Sequence, residues 1–168
     1  MKLNDWLSQL PKLPEWQELP DIELYMDQLI NLGNRYLGSL AENPITSSMV
    51  NSYVKKNLIP KPQKKKYSQK HLVSLMLITL LKRAYSLDDI RIWLNEDILK
   101  DPQKQYDHFS ALFNQALTQI SQNEFQLNVK VNEEASHELT LNLVIQTVLF
   151  KLISEYLIQS MKLQTKSK

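Results

Sequence analysis

Only two glycines, Gly33 and Gly38, occur in the 168 residues of this chain. An all-β sandwich or barrel needs positive-φ turns between its strands, and a phosphate-cradling loop needs clustered glycines. The scarcity of glycine argues against both. The bias is instead toward Leu, Lys, Gln and Ser, and 43% of the chain is hydrophobic, enough for a real core. A mostly α-helical protein is expected, either one compact domain or a core domain with a helical extension.

Several chemistries are also unexpected. There is no cysteine, which removes disulfides and thiolate metal sites. His71, His108 and His137 lie far apart and none has a second ligand at metal spacing, so neither metal nor cofactor is expected. Asp88-Asp89 reads as the acidic first turn of a helix, Glu133-Glu134 as solvated, and His71 as a surface residue beside Lys70. No nucleophile-elbow, phosphate-loop or dinucleotide pattern occurs, and the chain is not expected to be an enzyme. The N-terminus has early acid and prolines rather than an apolar leader core. The longest apolar stretch, Leu139 to Phe150, is broken by Thr140, Asn142, Gln146 and Thr147 and falls short of a membrane span. A cytoplasmic, soluble protein without a membrane partner is the expectation.

The net charge of +2 conceals an uneven distribution. Between Glu42 and Asp88 there is no acid, while the interval holds nine bases: Lys55, Lys56, Lys61, Lys64, Lys65, Lys66, Lys70, Lys82 and Arg83. An ordinary solvated helix face mixes Glu with Lys. A block of one sign inside a nearly neutral chain points to an anionic partner.

Along the chain, residues 1–20 read as a short turn of helix and an extended arm packed through Trp6 and Trp16, with Pro11, Pro14 and Pro20 preventing a longer helix. Asp21 suits the N-cap of a helix from Ile22 to about Ala41. Thr46 or Ser47 caps the next, with Met49, Val50, Tyr53 and Val54 on its apolar face and Ser47, Ser48, Asn51, Ser52 and Lys55 on the other. Asn57 can take the left-handed conformation that ends it. Pro60 and Pro62 forbid further helix, and with Lys65-Lys66-Tyr67 the segment reads as a two-stranded wing with Gln63 and Lys64 at its tip. Ser68 caps a largely buried helix to Arg83, Ser86-Leu87-Asp88-Asp89 starts another, and Asp101-Pro102 a third. Residues 125–131 alternate like a strand without an evident partner. Ser136 opens a long helix to about Met161, and the tail from Gln164 is expected to be disordered.

A helix, a turn, a capped helix with an acid-free polar face and a lysine-bearing hairpin together suit double-stranded DNA. The second helix of a helix-turn-helix lies in the major groove, where small or amide side chains approach base edges. Ser47, Ser48, Asn51 and Ser52 are the candidate base readers, Asn51 foremost because asparagine can bond adenine in bidentate fashion. Lys55, Lys56, Lys61, Lys64, Lys65, Lys66 and Lys70 are the candidate phosphate contacts.

The run from Thr46 to Pro60 resembles the recognition helix and wing entry of the MerR regulators. Tyr67-Ser68 and Ser86-Leu87-Asp88-Asp89-Ile90 are similar to the blocks that follow in that family. Asn51 stands where that family has arginine and Asn57 where it has glycine, so the family's contact at position 51 does not transfer. Its coiled coil and effector domain are not evident. A closer resemblance is to an uncharacterised bacterial family, domain of unknown function 1836. It rests on Leu24-Tyr25-Met26-Asp27-Gln28, on Ser48 to Lys56, and on Pro62-Gln63-Lys64-Lys65-Lys66-Tyr67-Ser68, and covers about residues 20–95.

These readings combine into an all-α protein with a small β-hairpin wing. The expected parts are an N-terminal arm (1–20), a MerR-like winged helix-turn-helix (21–95) and a C-terminal helical region (96–168) that dimerises. The expected function is sequence-specific DNA binding as a homodimer, hence transcriptional regulation. The rival is a non-catalytic protein-interaction module of helix-turn-helix ancestry, with or without a small-molecule sensor pocket; any effector is unknown.

Overall fold

A computed structural model describes residues 2–94, 100–122 and 137–166. Within them run α1 (Leu3–Leu7), α2 (Met26–Leu37), α3 (Ser47–Lys55), α4 (Gln69–Leu81), α5 (Leu87–Trp93), α6 (Pro102–Ser121) and α7 (His137–Lys166). Single 3-10 turns stand at Trp16–Glu18 and Gly38–Leu40. The expected all-α class is met.

Helix α4 is the centre. His71 to Leu81 are buried without interruption, as expected of a helix that is apolar on every side. Ser68 caps it, and α2, α5 and α7 pack against it. The same core continues from Leu7 in the N-terminal segment to Leu152 in α7. The arm reaches it through leucines more than through tryptophans: Leu7, Leu10, Leu13 and Leu19 are buried, whereas Trp6 and Trp16 are half-buried. Asn114 of α6 holds the arm like a strand partner, accepting the Leu13 N–H and donating to the Leu13 carbonyl, both at 2.8 Å. Asp107 accepts the Trp16 N–H at 2.7 Å.

Helix α2 begins four residues later than Ile22. Leu24 exchanges two backbone hydrogen bonds with Tyr67, each 2.8 Å, which keeps Leu24 out of the helix. The Gln28 side chain then accepts the Tyr25 N–H at the new helix start. Both glycines serve α2. A Cβ on Gly33 would lie 2.8 Å from Ile45 Cδ1, so the bare backbone admits the α2–α3 turn. Gly38 ends the helix at φ +49, a conformation other residues adopt at a cost of about 1–2 kcal/mol. Asn34 clasps the same turn, accepting the Ile45 N–H at 2.7 Å and donating to its carbonyl at 3.1 Å.

The β-hairpin wing is not formed. Among the described residues there is no strand, only isolated bridges at Gln63–Lys66 and Leu24–Tyr67. The ladder stops after one rung for an identifiable reason. The next hydrogen-bonded partner would be Ser68, whose N–H already donates to His71 Nδ1 at 2.9 Å and whose carbonyl accepts from His71 and Leu72 in α4. Starting a buried helix at Ser68 and extending a hairpin past it compete for the same backbone groups.

In α7, Leu141, Ile145, Val148, Leu149 and Leu152 are buried. Within residues 137–163 an 18-residue window reaches a mean hydropathy of 1.5, and the helix is long and apolar enough to cross a membrane by length and composition. In this fold, however, the buried set faces α4 and α6. The helix runs on to Lys166, into the tail expected to be disordered. The proposed strand at 125–131 lies outside the described residues.

Replacing Asn34 with alanine leaves the buried Ile45 backbone without its clasp. The expected loss is about 1–3 kcal/mol of unfolding free energy, read from urea or thermal denaturation. A change within error would mean that water replaces the clasp.

Candidate nucleic-acid interface

Helix α3 owes its outward face to its cap. Thr46 takes that role, its Oγ1 accepting the Met49 N–H at 3.3 Å, so capping claims none of the four candidate readers. Val50 and Tyr53 are buried, while Ser47, Ser48 and Asn51 are exposed and Ser52 is half-buried. No acid stands in the helix. Its end is closed as expected: Asn57 adopts φ 57, and the Asn57 and Leu58 N–H groups return to Val54 and Tyr53 at 3.1 and 2.9 Å. Lys55 and Lys56 lie there, Lys55 and Lys56 both exposed, where the negative end of the helix dipole already favours one cation.

The most informative geometry lies at the tip of the following loop. Gln63 and Lys66 exchange backbone hydrogen bonds at 3.2 and 2.8 Å, leaving Lys64 and Lys65 as a two-residue turn with φ 47 and 63. Both central positions are left-handed, which ordinarily selects Asn-Gly or Asp-Gly. Two lysines here hold a strained turn that a better pair would relax. Strain of this kind collects where side chains serve a role other than folding. Both lysines are exposed, as is Lys61; among the described residues, Lys55, Lys56, Lys61, Lys64 and Lys65 form no ion pair.

Other bases of the acid-free interval are engaged elsewhere. Lys66 Nζ bonds Glu23 at 2.6 Å and lies 6.0 Å over the Tyr25 ring, and the Glu23 bond holds its pKa above the ordinary lysine value. Arg83 donates to the Leu40 carbonyl at 2.9 Å and pairs with Glu155. Burial pushes the Lys82 ammonium down, against the pull of Glu42. Lys70 is half-buried in the first turn of α4.

His71, expected at the surface, is 8% exposed. Its ring accepts the Ser68 N–H, lies near Ser68 Oγ at 2.9 Å, and packs edge-on against Tyr67 at 5.4 Å. Its Nε2 faces the Lys61 and Pro60 carbonyls without completing a hydrogen bond. Burial pushes the imidazole below its ordinary value, and the charge of Lys70 adds to the effect. His71 thus links the lysine loop to α4. The sequence signal was present: Ser68 and His71 have capping-box spacing, with histidine in place of Glu or Gln.

The model of the domain of unknown function DUF1836 matches residues 14–134, which spans α2 to α6 and includes the whole lysine interval. The chain belongs to that family. No curated protein and no solved structure matches it. The match extends well beyond residues 20–95, where the resemblance was legible, and stops before α7. Among the described residues no group of three or more His, Cys, Asp or Glu could hold a metal. A 480 Å³ cleft between the arm and α7 is lined by Trp6, Glu42, Arg83, Glu155 and Tyr156, with Trp6 stacked on Tyr156 at 4.1 Å.

Two measurements test this geometry. Lys64→Asn with Lys65→Gly should stabilise the fold by about 1 kcal/mol, because it supplies the residues a left-handed turn prefers; a loss of stability would show that the turn is not strained. The depressed His71 pKa makes the native state bind fewer protons than the unfolded state. Its contribution is therefore present above the ordinary histidine value of about 6.5 and is lost as pH falls through the lower folded value. His71→Gln keeps the capping box without titrating in this range, so its stability should vary less between pH 7 and pH 5 (about two units). Equal acid sensitivity of the two proteins would assign the effect to another group.

Proposed function

We propose that this protein binds double-stranded DNA sequence-specifically as a homodimeric transcriptional regulator. In this reading α3 enters the major groove in a MerR-like helix-turn-helix with α2, and the loop after it meets the backbone without wing strands. The observation that carries the reading is the acid-free segment from Ser47 to Lys65, which turns its polar and basic side chains outward around the buried Val50, Tyr53, Leu58 and Ile59. It contains no acid, its polar side chains on α3 are exposed or half-buried, and two of its lysines occupy a strained turn. Ser47, Ser48, Asn51 and Ser52 face bases; Lys55, Lys56, Lys61, Lys64 and Lys65 face phosphates, while Lys66 positions the loop through Glu23. Lys70 lies at the edge of this set.

The two groups of residues predict different losses. Lys64→Ala with Lys65→Ala should weaken binding to every duplex alike. It should also flatten the dependence of log K on log salt by roughly 0.9 for each phosphate that is no longer neutralised. Asn51→Ala should cost about 1–3 kcal/mol on a selected site and little on random DNA. Alanine is the better helix former, so α3 survives that change. A salt titration of each protein on selected and scrambled duplexes reads both effects. Failure of the unmodified protein to bind either duplex at low salt would replace this reading with the protein-interaction one.

A further inference from the structure

The 480 Å³ cleft between the arm and α7 has the size of a small-molecule site, for which about 300–1,000 Å³ is usual. Its lining divides by chemistry. Trp6 and Tyr156 stack at 4.1 Å with their planes 12° apart, a flat apolar wall that Leu152 and Ile158 extend. Against it stand Arg83, Glu42 and Glu155.

Arg83 is the informative member. Its side chain is 7% exposed, so its charge is almost wholly withdrawn from water. Nε donates to the Leu40 carbonyl at 2.9 Å, and Nη1 pairs with Glu155. The guanidinium carries more N–H groups than these two partners take. Among the described residues, Nη2 makes no hydrogen bond. A desolvated cation with unmet donors costs free energy, and an anionic acceptor recovers it through charge-assisted hydrogen bonds.

The neighbouring charges limit what that acceptor is. Both acids of the cleft are shared with cations that do not line it: Lys151 bonds Glu155 at 3.3 Å, and Glu42 attracts Lys82. One negative charge is therefore accommodated beside Arg83. A dianion such as phosphate would be repelled by Glu42 and Glu155. A carboxylate has the right charge, and its planar fork matches a guanidinium. The stacked rings add a preference for a flat aromatic body.

We infer that this cleft binds a small aromatic carboxylate, its ring against the Trp6–Tyr156 wall and its carboxylate on Arg83 Nη2. No described residue of α3 or of the lysine loop lines the cleft. Binding here and binding to DNA can thus fail separately.

Calorimetry on the full chain with benzoate, phenylacetate and cinnamate, each against its own amide, separates the charge from the ring. At least one acid should bind with a Kd below about 1 mM, and its amide should bind about tenfold more weakly. Arg83→Gln should abolish that preference. Because Arg83 also braces Leu40, a second pair of variants spares the fold. Ile158 lines the cleft yet is exposed. Ile158→Glu should weaken the acid severalfold and Ile158→Lys should tighten it, with the helical circular dichroism unchanged. Cinnamate should also quench tryptophan fluorescence, and Trp6→Phe should remove that quenching; quenching that persists would place the ring elsewhere. Equal binding of acid and amide, or indifference of the acid to both Ile158 substitutions, would overturn the site. Inorganic phosphate binding more tightly than every acid would overturn the ligand class. If no acid binds below about 1 mM, the cleft is only a seam in the packing and the inference fails.

Discussion

The burial of α4 is the constraint on which the other elements depend. A helix with eleven consecutive buried residues cannot stand at a surface. At about 1.5–3 kcal/mol for each large apolar side chain removed from water, covering it dominates the energetics. Helices α2, α5 and α7 pack directly on it. The arm is drawn into the same core by Leu7, Leu10, Leu13 and Leu19, held to α6 by Asn114 and Asp107. Single polar side chains, Asn34 and Asn114, each satisfy both backbone groups of one extended residue, so irregular chain can lie against helices without stranding its amides.

That constraint also shapes the proposed interface. Because α4 starts at Ser68, the preceding loop cannot extend into a ladder, and it becomes a short turn fastened at three points. The Tyr67–Leu24 exchange, the Lys66–Glu23 pair and the His71 contact with Ser68 hold its base, and Lys64 and Lys65 are left at its tip. A loop anchored in this way presents its charges at fixed positions, so less conformational freedom is lost when they meet an anion. The absence of strands therefore does not make the lysines loose.

How legible these features were depended on the range of the interactions involved. The caps at Thr46, Ser68, Ser86 and Asp101 and the left-handed Asn57 are local, set by residues within four positions, and each is found where its sequence signal stood. The exposed Ser47, Ser48 and Asn51 opposite the buried Val50 and Tyr53 likewise follow from helical period alone. The start of α2 was misread because Asp21 is a sound cap, but Leu24 is claimed by Tyr67, forty-three residues away. The wing was misread for a related reason. Its residues suit a hairpin, and the backbone groups it needed were already taken.

By itself, then, the sequence determined a helical protein with few tight turns, the caps and faces of its helices, and an acid-free basic interval. These follow from composition, short-range hydrogen bonds and periodicity, which act within a few residues. Tertiary structure alone decided which charges stay exposed. It set Lys66 on Glu23 and Arg83 on Glu155, left Lys64 and Lys65 in a strained turn, and drew His71 under the loop. The cause is competition: a backbone amide or a cation is committed to one partner at a time, and the partner that prevails is the one the packing of α4 brings within reach.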